Sequence, residues 1–138
     1  MKTIIVDDSD LIRQRLVDIL SDFPELEIIG QEGEAHQAIV SIRLEKPDLV
    51  ILDIGLIGGS GIDVLHEIKR DNPDIKVIML TSYPVPQHRR RCIEEGADAF
   101  LDKSNGFEHI RPIIENLAVE AAARLKHSPT DKLLYPPS

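Results

Sequence analysis

Short apolar runs recur along the chain, with amphipathic stretches between them. Ile4–Val6, Leu26–Gly30, Leu49–Leu52, Ile75–Leu80 and Ala99–Leu101 are aliphatic and mostly β-branched, and they read as strands. Between the first two, Ile12, Leu16, Ile19, Leu20 and Phe23 share one helical face until Pro24 stops the pattern. Ala35, Ala38, Ile39 and Ile42 form a second stripe, closed by Pro47. Ser60 and Asp63 resemble a helix N-cap and its third residue, ahead of inward-facing Ile62, Leu65 and Ile68, and Asn72-Pro73 ends that helix. A shorter helix is predicted from about Pro86 to Glu95, with Gly96 as its stop. The last stripe is Ile110, Ile114, Leu117, Ala121 and Leu125, with Asn105 and Glu108 as a cap pair. Pro112 sits inside that stripe, so either the first turn is distorted or Pro112 lies near the true start. Residues 128–138 read as a flexible C-terminal tail, leaving 1–127 as the folded domain.

Strands that alternate with helices imply βα units, a parallel sheet, right-handed crossovers and helices on both faces. Five such units suit an α/β, flavodoxin-like doubly wound sheet of five parallel strands in the order 2-1-3-4-5. The length of 138 residues favours one domain, and a chain near this size buries about two-thirds of its unfolded surface. A net charge of −8 argues against nonspecific nucleic-acid binding and against an anionic membrane surface. No apolar run approaches the ~20 residues of a membrane span, and no basic segment with an apolar core opens the chain. The single Cys92 has no internal partner, which fits a reducing cytoplasm.

The strand ends carry the chemistry. Ile4-Ile5-Val6 ends in Asp7-Asp8, and Leu49-Val50-Ile51-Leu52 ends in Asp53, directly before the glycine-rich stretch 55–61. Ligands of open α/β sheets bind outside the carboxyl ends of the strands. Like charges ~4 Å apart in such a crevice cost roughly 4 kcal/mol per pair at an effective dielectric near 20. A hard divalent cation with oxygen ligands relieves that repulsion. The next two strands end in Thr81-Ser82 and Asp102-Lys103, adding a hydroxyl and an ammonium at the same edge. Together these groups describe a site for a tetrahedral oxyanion such as phosphate, with a carboxylate placed to act as nucleophile.

Asp7-Asp8, Asp53, Thr81 and Lys103, in this order and spacing, resemble the receiver domain of two-component response regulators. So do the segments Val6-Asp7-Asp8-Ser9, Leu52-Asp53-Ile54, Gly96-Ala97-Asp98-Ala99-Phe100 and Asp102-Lys103-Ser104. The resemblance covers residues 2 to about 125 and implies a stand-alone signalling module, not a turnover enzyme. By it, Asp53 is the phosphoacceptor, charged by a sensor histidine kinase or a phosphotransfer protein. Asp7, Asp8, Asp53 and the backbone carbonyl of Gly55 would hold Mg2+, and Lys103 would pair with Asp53 and then with the phosphoryl group. Thr81 and Phe100 would form the switch that changes the surface of the fourth helix, fifth strand and fifth helix. That surface would control a downstream protein target or a phosphorylation-dependent homodimer, with no direct nucleic-acid or membrane binding by this chain.

One departure concerns the loop after Asp53. The family usually carries a proline four residues on; Ile57 stands there, and glycines at 55, 58, 59 and 61 predict a looser loop. Gly55 offers no side chain to shield an acyl phosphate, whereas Tyr83 does, so both are expected to tune its lifetime. Arg89-Arg90-Arg91 read as a solvated helix face, and Cys92 as a small core residue. The five histidines, His36, His66, His88, His109 and His127, show no ligand spacing and read as surface residues. Two other functions stay open. One is an aspartyl-phosphate phosphohydrolase, although Ile54-Gly55 supply no second acid after Asp53. The other is the receiver half of a longer DNA-binding regulator, although too few residues follow the last stripe for a helix-turn-helix domain.

Overall fold

Five parallel strands form the sheet that the apolar runs anticipate. The computed structural model describes residues 1–82, 84–105 and 107–126, with backbone alone at 124–126. The expected tail at 128–138 and Tyr83 therefore lie outside the described residues. The chain divides into two units, Met1–Gly106 and Phe107–Ser138.

In the first unit the strands are β1 (Lys2–Val6), β2 (Glu27–Glu32), β3 (Leu49–Asp53), β6 (Lys76–Thr81) and β7 (Ala99–Asp102). Two further strands, β4 (Gly55–Leu56) and β5 (Gly59–Ser60), make a small antiparallel hairpin. The five long strands lie in the order β2-β1-β3-β6-β7, the expected flavodoxin-like topology once the hairpin is set aside. Helices α1 (Asp10–Leu20), α2 (Ala35–Glu45), α3 (Gly61–Asp71) and α4 (Pro86–Glu94) fill the crossovers.

Period-2 alternation sorts the strands' side chains onto two faces. Ile4 and Val6, Val50 and Leu52, and Val77 and Met79 meet Ala38 and Ile42 of α2, Leu65 and Ile68 of α3, and Cys92 of α4 in one buried cluster. Ile5, Ile51 and Ile78, also buried, alternate to the other face. β3 is buried along its whole length and β1 from Thr3 to Val6, which suits central parallel strands.

Helix boundaries follow local chemistry. Ser9 caps α1 by accepting from the Ile12 amide at 3.2 Å, and Ser60 caps α3 by accepting from the Ile62 amide at 3.1 Å. α1 stops at Leu20, ahead of its apolar stripe, and Phe23 is buried from the following turn. α2 closes on Lys46, a non-glycine residue at φ 50°, because Pro47 disfavours helical backbone just before it. Gly96, at φ 96°, ends α4 through the Ala97 amide donating to the Cys92 carbonyl at 2.9 Å.

In the second unit α5 spans Ile110–Lys126, with Ile110, Ile114 and Leu117 buried on one stripe. Pro112 falls in its first turn, where a missing N–H is harmless. The predicted cap pair is not used: Asn105 ends a short 3-10 turn and Glu108 precedes the helix. An earlier start would drive the Pro112 ring against the carbonyl four residues back.

Candidate functional site

Strand register brings the polar residues to one edge. Val6 pairs with Leu52, Asp53 with Leu80, and Thr81 with Asp102. Asp7 is therefore one residue past β1, Asp53 and Thr81 end their strands, and Lys103 is one residue past β7. All four line a cleft of about 600 Å³, together with Asp8, Ser82, His88 and Ser104.

Asp7 and Asp53 are buried, at 1% and 7% exposure, while Asp8 is exposed. Oxygens of the three carboxylates lie within 4.8 Å of one another. The Lys103 ammonium spans two of them, 2.5 Å from Asp7 Oδ2 and 3.0 Å from Asp53 Oδ2. The family resemblance implies only the Asp53 pairing; the bond to Asp7 is an addition. Asp7 is further held from behind: its Oδ1 accepts from the Ser9 amide at 2.9 Å, and its carbonyl accepts from the Arg13 guanidinium.

The electrostatics are those of an acid-rich pocket with too little positive charge. Burial pushes the Asp53 carboxyl above its ordinary value; Lys103 and the Gly55 amide pull the other way, and the Asp7 charge adds to the rise. Burial disfavours the Lys103 ammonium, but its bonds to Asp7 and Asp53 outweigh that and lift it above the usual lysine value. Three carboxylates against one ammonium leave an all-oxygen set that fits a hard divalent cation such as Mg2+. Cation and proton compete for Asp53, so metal affinity falls as pH drops.

The loop carrying Gly55 is tied down, contrary to the looseness its glycines suggest. Gly55 pairs with Ser60 and Leu56 with Gly59, around a turn at Gly58 with φ 76°. The Ile57 amide donates to Gly33 at 3.2 Å, the Ala35 amide donates to Ile57 at 2.9 Å, and the Gly61 amide donates to Ile54 at 2.6 Å. Gly61 is required by closeness: a Cβ there would sit 1.8 Å from the Asp53 carbonyl oxygen. At Gly55 a Cβ would meet nothing within 4 Å, so the open approach to Asp53 is a matter of side-chain size alone.

Thr81 is buried and lines the cleft; Phe100 does not line it. Phe100 is half-buried against the core, and the Arg89 guanidinium carbon lies 5.9 Å from its ring centre. Arg89, Arg90 and Arg91 are exposed, as a solvated face requires. Cys92 is fully buried, and burial lifts its thiol to about 11, so it is an inert core residue.

His88 overturns the surface reading of the histidines. It is half-buried in the first turn of α4 and lines the cleft, and its Nδ1 is closed to solvent with no hydrogen-bond partner among the described residues. Pro86 was the available signal, because a proline at the helix start sets His88 in the first turn of α4. His66, by contrast, is exposed and bonds Glu95 at 2.6 Å.

A family model described as response regulator receiver domain matches residues 3–115. The chain is similar to the DNA-binding transcriptional activator DevR/DosR of Mycobacterium tuberculosis, 32% identical over 114 residues, covering 82% of this chain and 52% of that protein. It is 31% identical over 110 residues to the response regulator protein VraR of Staphylococcus epidermidis, covering 80% and 53%. The chain thus spans about half the length of these curated relatives. Among solved structures, a LuxR-family DNA-binding response regulator from Staphylococcus aureus superposes with a TM-score of 0.79 at 28% identity, covering 85% of this chain and 98% of that one. A CheX-CheY-BeF3-Mg2+ complex from Borrelia burgdorferi matches with a TM-score of 0.71 at 27% identity, covering 75% and 78%. Among the described residues no helix is long and apolar enough to cross a membrane.

Proposed function

The chain belongs to the response regulator receiver domain family, and from that premise we propose that residues 1–127 form one phosphoacceptor signalling domain with Asp53 as the acceptor. The observation that carries this reading is the cluster itself: Asp7, Asp8 and Asp53 within 4.8 Å, with Lys103 bonded to two of them. An Asp53 carboxylate oxygen attacks the phosphorus of a phosphohistidine on a kinase or phosphotransfer protein. The P–N bond breaks, the donor imidazole leaves with the electron pair, and Asp53 carries an acyl phosphate.

Each neighbour has a role in that step. Asp7, Asp8, Asp53 and the Gly55 carbonyl would hold Mg2+, which supplies positive charge beside the phosphoryl oxygens. Lys103 releases Asp53 and bonds the phosphoryl group while keeping Asp7. The Thr81 hydroxyl donates to a phosphoryl oxygen, and Phe100 packs inward behind it, which alters the exposed surface of α4 and β7. Gly55 leaves the acyl phosphate open to water, so hydrolysis resets the module. The output is control of a protein target, with a phosphorylation-dependent homodimer as one form of it, in the cytoplasm.

The decisive experiment is Phos-tag mobility after incubation with a small phosphodonor and Mg2+, on wild type and Asp53→Asn. Wild type shifts and the variant does not; equal behaviour removes Asp53 as acceptor.

A second reading draws on the relatives. Two of them are named as DNA-binding regulators, DevR/DosR, of which this chain covers 52%, and the LuxR-family chain, of which it covers 98%. The same phosphoacceptor would then serve a longer DNA-binding protein, which sequencing the gene past codon 138 decides. A phosphohydrolase is disfavoured because Ile54 and Gly55 provide no acid beside Asp53.

A further inference from the structure

We propose that His88 is a phosphoryl-facing residue, whose imidazole hydrogen-bonds an oxygen of the group carried by Asp53 and so lets α4 sense the modification directly. This rests on the phosphoacceptor reading above and adds a contact to it.

Three observations converge. His88 lines the same cleft as Asp53, Thr81 and Lys103. Its Nδ1 is shielded from water and unpartnered among the described residues, an arrangement that is costly unless the partner arrives with the reaction. A phosphoryl oxygen is a strong, charged acceptor that enters this cleft only when Asp53 is modified. Finally, the other side-chain donors of the cleft, Ser9, Thr81, Ser82, Lys103 and Ser104, lie at or just past the ends of β1, β6 and β7; among the described residues that line it, His88 alone is carried by α4.

The helix is built to move with that residue. The N-cap of α4, Val85, makes no side-chain cap bond, and only Cys92 of the nine helix residues is buried. Reorienting the first turn therefore disturbs little of the core. The contact also differs from the Thr81 and Phe100 route, because it acts on α4 without passing through β7.

The test uses the full chain with beryllofluoride and Mg2+ as the phosphoryl mimic. Long-range proton–nitrogen spectra report the ring nitrogens of all five histidines, and His88→Asn identifies the His88 signals by their loss. The His88 nitrogens are expected to shift on addition of beryllofluoride while those of His36, His66 and His109 stay in place. His88→Ala is expected to weaken beryllofluoride binding about tenfold, with His88→Asn retaining most of it, because a neutral amide reproduces the Nδ1 contact. Unmoved His88 nitrogens in a wild type that binds beryllofluoride overturn the proposal and leave the acceptor reading intact. Wild type that binds no beryllofluoride removes both. Equal binding by wild type and His88→Ala also overturns it, whatever the variant's melting temperature.

Discussion

The acid half of the cleft and the half opposite it are built from opposite kinds of structure. Asp7 and Asp53 hang from β1 and β3, whose apolar residues are all but sealed from solvent. Opposite them, β7 is half-buried along its whole length and α4 buries only Cys92. Carboxylates that repel one another have to be held by something that cannot relax, and central parallel strands do that. An edge strand with a thinly packed helix can rearrange at smaller cost. The site divides its labour along the sheet, with fixed geometry at the centre and adjustable geometry toward the edge.

That contrast is exposed first by truncation. Leu52→Ala in β3 should cost about 2–5 kcal/mol, against about 1 kcal/mol for half-buried Leu101→Ala in β7, in denaturant melts. Equal costs would break the distinction. Next, Gly61→Ala should lower stability by about 1–3 kcal/mol and weaken Mg2+ binding, because the new methyl displaces the Asp53 main chain. Mg2+-dependent fluorescence or calorimetry would detect both.

Asp53→Asn sharpens the picture of a strained acid half. The folded protein binds the Asp53 proton more tightly than the unfolded chain does, because burial raises its carboxyl. Ionising it therefore subtracts stability as pH rises from the unfolded value through the folded one, and the full penalty applies above. The Asn variant should melt a few degrees above wild type at neutral pH without metal. That gain should fade as pH falls through the raised Asp53 value and be gone below the ordinary carboxylate value, and saturating Mg2+ should restore wild type. The smallest effect is expected at the edge. Arg89→Ala removes a cation over Phe100, worth about 0.5–1 kcal/mol, and should speed amide exchange at residues 99–101 while leaving β3 unchanged.

The legible parts of this molecule were those written in side-chain pattern. Apolar runs located all five long strands, and the strand-end residues Asp7, Asp8, Asp53, Thr81 and Lys103 were all nominated and do meet in one cleft. What escaped was carried by backbone. The β4–β5 hairpin has two-residue strands with no alternation to read, and its glycines suggested looseness because composition says nothing about Ile57 bonding to Gly33 and Ala35. The need for glycine at 61 is a distance, invisible until α3 lies against Asp53. Lys103 announced its charge but not that it would bridge two acids. His88 looked ordinary because a single histidine has no periodicity, and only the turn set by Pro86 aims it at the cleft.

The bonds of Ile57 to Gly33 and Ala35 join the loop after β3 to the loop after β2. The segment after Asp53 is thereby fastened to residues that lie more than twenty positions earlier in the chain. The setting of Asp53 thus depends on contacts made outside its own strand and loop. Loss of either tie would leave the Gly55–Ser60 hairpin with fewer anchors beside Asp53.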